Sequence, residues 1–321
     1  MQVMIASLSR AILDCLVQPE QLGTVHSAFD RAVNIQLDQS ARMIALTFTS
    51  AGGLPYAFML VDGSPASFIA RGVTPGQMVS VEAGACLVIE GAQDRYEFSG
   101  ATIWEPAMGK LADPENRQAF SDLLVWAAGY VYARANLVGL TPLLKDPRQL
   151  IKGTLELENT SDLRLAKIAL PSITTLLIAL RQEDEAAINT AAARLIGYGI
   201  GGTPSGDDLL VGLMAAFSRS STSRAERMRQ LLTICLETQV HADATSLLSL
   251  TVLRHALAGE FSEKIHDVTQ LLMHPDDPVN LEVSLQRLLL HGATSGAEMF
   301  LGVCLGFLLL QNTESNTGKR A

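Results

Sequence analysis

The run Gly197-Tyr-Gly-Ile-Gly-Gly-Thr-Pro-Ser-Gly-Asp-Asp208 constrains this chain more than any other stretch, because it opens directly onto an apolar segment, Leu209 to Phe217. Leu209, Leu210, Leu213, Met214 and Phe217 recur at helical spacing, which predicts an amphipathic helix from Ser205 onward. Ser205 occupies the place of an N-cap, and Asp208, three residues later, completes a capping box. Upstream, Glu183 to Ile196 is helix-like too, so the glycines join helix to helix. A dinucleotide fingerprint must follow a strand, and a Walker loop needs a Lys before the Ser. Neither condition is met. What remains is a glycine-rich turn whose amides, with those of the helix start, can face an anion. Asp207 and Asp208 suit the helix dipole, yet they repel a bare phosphate unless a cation intervenes. A well-capped helix after a tight turn accounts for most of the same residues without any function.

A second copy of the pattern separates the two readings. Ser295-Gly-Ala-Glu298, followed by Met299 to Phe307, repeats Ser205-Gly-Asp-Asp208 through Phe217. Each has an acid three residues after the Ser, a Gly seven after it (Gly212, Gly302) and a Phe twelve after it (Phe217, Phe307). Capping and close helix packing at glycine explain what is shared. Pro204, Asp207 and the preceding glycines belong to the first copy alone, and capping does not require them.

A chain of 321 residues is long enough for two domains, and 48% hydrophobic with 18% charged residues describes a compact, soluble protein. The formal net charge of -9 argues against nucleic-acid binding. Arg219, Arg224, Arg227 and Arg229 form a local basic group beside serines, read as a solvated loop between helices. Cys15, Cys86, Cys235 and Cys304 are scattered in apolar settings, as expected of reduced thiols in the cytoplasm. The start lacks a basic n-region and a cleavage site. The longest apolar run, Met299 to Leu310, is too short to cross a bilayer and reads as a buried helix. No Cys/His cluster or His-Glu-x-x-His occurs, so no cofactor is expected; the paired acids would hold Mg²⁺ only weakly, through waters.

The texture of the chain changes once. Residues 4–17 place Ile5, Leu8, Ile12 and Leu16 on one helical face. Ala32 to Leu37, Met43 to Phe48, Tyr56 to Val61 and Cys86 to Ile89 then read as short strands with Gly, Asp and Ser turns. The expected fold class is α+β. Residues 1–106 form a β-rich N-terminal domain with a leading helix, an antiparallel sandwich or half-barrel, and 107–321 form a larger all-helical domain carrying the glycine loop. Helices are expected over 120–137, 161–181 (split at Pro171), 183–196, 205–218, 223–239, 241–258, 262–273, 277–290 and 295–311.

Two further segments hold chemistry-bearing side chains. His26-Ser-Ala-Phe-Asp-Arg31 opens the β region, and Arg31 is a natural carboxylate or phosphate clamp. Strand alternation puts His26 on one face and Ser27 and Arg31 on the other, so ordinary strand-edge polarity explains them as well. In His241-Ala-Asp-Ala-Thr-Ser246, Thr245 and Ser246 are expected as mid-helix hydroxyls bonded to the preceding turn.

Val25 to Asn34, Gly199 to Asp208 and the Thr245-Ser246…Leu253…Ala256…Gly259 stretch together resemble a bacterial family of unknown function. That family includes the smallest (H) subunit of the oxamate carbamoyltransferase of anaerobic allantoin degradation. The resemblance spans most of the chain; this chain is longer, mainly around 140–185. It implies a subunit working with an FdrA-like partner and a second larger subunit. Together they would convert oxalurate and phosphate to oxamate and carbamoyl phosphate, with no role for nucleic acid or membrane. It also implies that His26 and Ser27 act with the Thr203–Asp208 motif. Gly199, Gly201, Gly202, Thr203, Ser205, Gly206 and Asp208, with Ser27, Arg31 and Thr245, would hold a small anionic substrate. Arg31 would offset Asp207, and His26 or Asp207 would handle a proton. A non-catalytic scaffold and a small-anion-binding protein are the alternatives.

Overall fold

The computed structural model describes residues 2–16, 22–37, 42–62, 67–82, 85–158, 163–274 and 278–311. The fold is α+β, in two compact units: residues 1–107 with 245–266, and residues 108–244 with 267–321.

The first unit is built on strands β1 (Gln2–Ser9), β2 (Gly23–Ala28), β3 (Val33–Leu37), β4 (Met43–Phe48), β5 (Ala57–Leu60), β6 (Met78–Glu82), β7 (Cys86–Ile89), β8 (Arg95–Glu97) and β9 (Thr102–Trp104). They pair in the order β5-β4-β3-β2-β6-β7-β8-β1, and β1 pairs back onto β5. Eight strands therefore close a barrel, with β9 added to β1. The half-barrel expectation is completed by the first strand of the chain. Pairing is mixed, since β4–β5, β1–β8 and β1–β9 are parallel.

That first strand is a departure from the helix expected over 4–17, of which, among the described residues, only Arg10–Leu16 (α1) is helical. A bulge between Ile5 and Ser7 is the cause. It shifts the strand's parity by one residue, so Ile5 and Leu8 both enter the barrel core. Two inward residues three apart then imitate a helical face.

The interior is filled by alternate residues, including Val33 and Ile35 of β3, Leu46 and Phe48 of β4 and Phe58 and Leu60 of β5. Phe48, Phe68 and Tyr96 stack in sequence through tilted ring pairs 5.5 and 6.1 Å apart. β4 and β5 are apolar without alternation because their outer face is covered as well. Ala45, Ala57 and Met59 pack against Leu248 and Val252 of α8 (Leu247–Leu257). Thr251 of that helix accepts the Met43 N–H at 3.1 Å.

The second unit is helical: α2 (Arg117–Tyr132), α3 (Pro147–Lys152), α4 (Arg164–Gln182), α5 (Glu185–Leu195), α6 (Ser205–Arg219), α7 (Ser223–Gln239), α10 (Pro278–Leu289) and α11 (Ser295–Gln311). Another helix, α9 (Glu263–Met273), starts in the first unit and ends in the second. α4 is continuous through Pro171 instead of split. Pro171 lies on the exposed face, where water can take the carbonyl that its missing N–H leaves free. Among the described residues α4 alone is long and apolar enough to cross a membrane, and its stripe of Ala166, Ile173, Leu176, Leu177 and Leu180 is buried in the unit.

α6 and α11 form the centre. A Cβ on Gly212 would meet Met299 O at 2.0 Å, and one on Gly302 would meet Leu209 O at 2.1 Å. Gly306 lies against Leu213 and Ala216. Contacts advance together along both helices, so the two run parallel with backbones touching. Every residue of α6 is buried, which corrects the amphipathic expectation: its second face is covered by α11. Arg219 is buried as well rather than solvated, donating to Thr269 Oγ1 at 3.0 Å and Gly109 O at 2.9 Å.

Candidate functional site

The N-termini of α6 and α11 lie side by side, and three loops (136–141, 197–204 and 291–294) meet over them. The cap of α6 differs from the one the sequence suggests. Pro204, at φ −58 and ψ 145, is the N-cap, and no side chain caps the helix. Ser205 is thus the first helical residue, and no capping box forms. Proline's fixed φ and extended ψ end the loop one residue earlier than Ser205 would. Gly199 permits the tight return: its φ is +123, and a Cβ there would come 2.6 Å from Ser205 N.

The two copies match bond for bond at their starts. Gly206 N–H donates to Tyr198 O and Gly296 N–H to His291 O. Asp207 and Asp208 N–H donate to Pro204 O, as Ala297 and Glu298 N–H donate to Thr294 O. These first-turn amides are therefore used internally and do not face a ligand. The solvent-exposed part of the glycine loop is its tip, residues 200–202, where Ile200 is 82% exposed.

The acids of the two copies, however, have different fates. Glu298 is fully buried and satisfied: it accepts Leu140 N–H at 2.8 Å and Thr294 Oγ1 at 3.0 Å. Gly139, whose φ is +64, makes room, since a Cβ there would meet Glu298 Oε1 at 2.1 Å. Asp207 reaches back to Gly197 N–H at 2.8 Å and pins the glycine loop to the helix. Asp208 is fully buried, and among the described residues neither of its carboxyl oxygens has a hydrogen bond of good geometry, the Ser295 and Thr203 hydroxyls being its nearest donors. Beside it, Thr203 Oγ1 and Ser295 Oγ bond each other at 2.8 Å. Burial pushes the Asp208 carboxyl well above the ordinary carboxylate range; Glu298 and Asp207 push the same way, against the Ser295 and Thr203 hydroxyls. The positive ends of two helix dipoles converge on this acidic cluster. The arrangement can keep a carboxylic acid neutral beside two hydroxyls, which is the condition of a buried proton donor.

Asp207, Gly199, Gly201, Gly202, Thr203, Ser205, Gly206 and Asp208 are thus in one region of the second unit. Ser295 and Glu298 join it; their signal was the repeated Ser-Gly-x-acid pattern. Gly139 and Leu140 carry no comparable signal, because their role depends on a distant acid. Among the described residues no group of three or more His, Cys, Asp or Glu is placed to hold a metal.

His26, Ser27, Arg31 and Thr245 belong to the first unit. A bulge between Val25 and Ser27 overrides the alternation expected there. His26 Nδ1 lies 3.4 Å from Ser27 Oγ, and Ser27 Oγ accepts from Asn34 Nδ2 at 3.0 Å. Arg31 pairs with Asp62 at 2.6 Å, bonds Ser50 and lies over the Phe48 ring at 4.2 Å. Its carboxylate partner is therefore Asp62. Thr245 and Ser246 precede α8 instead of lying inside it, and Ser246 is the N-cap, accepting Ser249 N–H at 3.0 Å.

Two comparisons with known families match. Residues 195–307 match the family described as oxamate carbamoyltransferase subunit AllH, and residues 4–103 match the AllH family N-terminal domain. The first span contains both the glycine loop and the Ser295–Glu298 copy; the second covers almost the whole barrel. No solved structure matches the chain.

Proposed function

The chain belongs to the AllH family of oxamate carbamoyltransferase subunits, and from that premise we propose that it takes part in the phosphorolysis of oxalurate to oxamate and carbamoyl phosphate. Its setting would be anaerobic purine or allantoin catabolism in the cytoplasm. It would work in a complex with an FdrA-like subunit and a second larger subunit. In that reaction the carbamoyl carbon exchanges its bond to the oxamate nitrogen for one to a phosphate oxygen. The nitrogen leaves with a proton, and the attacking hydrogen phosphate loses one.

The observation that carries a catalytic role is Asp208, buried beside the Thr203–Ser295 hydroxyl pair with no hydrogen bond of good geometry among the described residues. Held neutral, it would give its proton through a hydroxyl to the leaving nitrogen and recover one from the phosphate. Asp207 would keep the glycine loop in place through Gly197. A scaffold role is favoured by a separate observation: the first-turn amides are internally satisfied, and the loop presents apolar Ile200 outward.

The test is carbamoyl phosphate formation by the assembled subunits with wild-type chain, without it, and with Asp208→Asn. The catalytic reading expects loss of about 100-fold or more in Asp208→Asn with assembly intact. Full activity in that variant, combined with loss when the chain is omitted, would leave the scaffold role. Activity without the chain would refute both.

A further inference from the structure

Arg219, Arg224, Arg227 and Arg229 cluster at the end of α6 and the start of α7. Three of them are spent inside the fold. Arg219 donates to Thr269 and to Gly109 O, Arg227 Nε to Glu183 Oε2 at 3.0 Å, and Arg229 to Glu226 at 2.9 Å. Arg224 is different. It is half-buried in the first turn of α7, and its guanidinium has no hydrogen bond or ion pair among the described residues.

Two more arginines are brought up to it. Arg227 lies one turn after Arg224 on the same side of α7, so its bond to Glu183 sets Arg224 beside the last turn of α4, which holds Arg181. Arg181 donates to Ile151 O at 3.3 Å. The segment before α2 is tied to the same place: Leu111 N–H donates to Arg219 O at 2.7 Å, Ser221 N–H to Leu111 O at 2.9 Å and Ser220 Oγ to Asp113. Arg117 opens α2 just beyond. Burial pushes the Arg224 guanidinium down from the usual arginine range, Arg181 and Arg117 push the same way, and Glu183 pushes back. The acids nearby are engaged already: Glu183 by Arg227, Glu226 by Arg229 and Lys110, and Asp113 by Ser220.

By itself this arrangement costs the fold. Like charges repel, and a cation in the first turn of a helix opposes the helix dipole. Thr222 caps α7 by accepting Ala225 N–H at 3.2 Å, while the Ser223 and Arg224 N–H groups have no acceptor among the described residues. A dianion with several acceptor oxygens reverses each cost. Tetrahedral phosphoryl oxygens match guanidinium forks, and the helix start adds to what the arginines supply. We infer that Arg224, with Arg181 and Arg117 beside it, forms a binding site for a phosphoryl group, carried by free phosphate or by a small phosphate ester. The site lies at the far end of α6 from Asp208, with about 16 Å of helix between Asp208 and Arg219. It is therefore independent of the proposed transfer reaction.

Isothermal titration of the full chain with inorganic phosphate and with glycerol 3-phosphate tests it, with acetate as comparator. Saturable binding is expected, weakened about tenfold in Arg224→Gln and unchanged in Asp208→Asn. Whichever probe binds more tightly identifies the source, free ion or ester. In phosphate-free buffer Arg224→Gln should melt no lower than wild type, because it removes a repulsion and breaks no bond. A lower melting temperature would show that the fold itself needs the arginine, and would overturn the site. So would no saturation by either probe up to about 20 mM, or binding unchanged in Arg224→Gln, as expected of phosphate held at Asp208 instead. Acetate binding as tightly as phosphate would overturn the phosphoryl assignment.

Discussion

Gly212→Ala tests whether backbone contact between α6 and α11 holds the second unit together. The new Cβ would stand 2.0 Å from Met299 O and 2.9 Å from Gly302 Cα. The facing atoms are backbone, so no side chain can rotate away. To reach 3.0 Å, below which such contacts are essentially not seen, the helices must part by about 1 Å. A gap of that size forfeits up to about half of each dispersion contact it opens, along a seam in which every residue of α6 is buried. Overpacking of this kind costs about 1–3 kcal/mol, and the backbone contact puts the site at or above the top of that range. Alanine returns about 1 kcal/mol of helix propensity. A net loss of about 2 kcal/mol or more is expected, read as a lower urea midpoint by circular dichroism. In a unit of this size each kcal/mol also lowers the melting temperature by about 2–4 °C. Gly129→Ala on the exposed face of α2, where a Cβ meets nothing within 4 Å, should instead stabilise by up to about 1 kcal/mol. If Gly212→Ala behaved like Gly129→Ala, the close seam would be refuted.

Two other outcomes follow from burial. Burial raises the Asp208 carboxyl in the fold above its ordinary value of 3.8, so stability should fall as pH rises from there toward the raised value, by at most about 1.4 kcal/mol per pH unit. Asp208→Asn should flatten that slope and stabilise the protein at neutral pH, measured by urea denaturation at several pH values; an unchanged slope would mean that the folded acid is ionised. Burial also pushes the Cys304 thiol up to about 12, so iodoacetamide should leave it unmodified until denaturant is added, by peptide mass mapping; labelling in the native protein would show that α11 opens.

Much of the site was legible because local chemistry writes itself into the chain. Ser205-Gly-Asp-Asp208 and Ser295-Gly-Ala-Glu298 announced two similar helix starts, and Gly212 and Gly302 announced close packing. Which of the two acids the glycine loop would engage was not legible. Asp207 and Asp208 are neighbours of one charge, and local rules assign Asp208 to capping and leave Asp207 over. The fold reverses that, because Gly197 N–H lies within reach of Asp207 while Asp208 points where no donor is aligned. Glu298 is satisfied by Leu140, more than 150 residues away in the chain. No periodicity can report such a partner.

The same division holds for the fold. Sequence alone determined the α+β class, the limits of β4, β7, α7 and α11, and the switch from strands to helices, since these depend on spacing and turn residues within a few positions. Tertiary structure decided that Gln2–Ser9 is the strand that closes the barrel, because a bulge turned its inward residues to helical spacing. It decided that α8 covers β4 and β5, and that α6 is buried on all sides. In each case the deciding partner is remote in sequence, and burial by a remote partner leaves no local period to read.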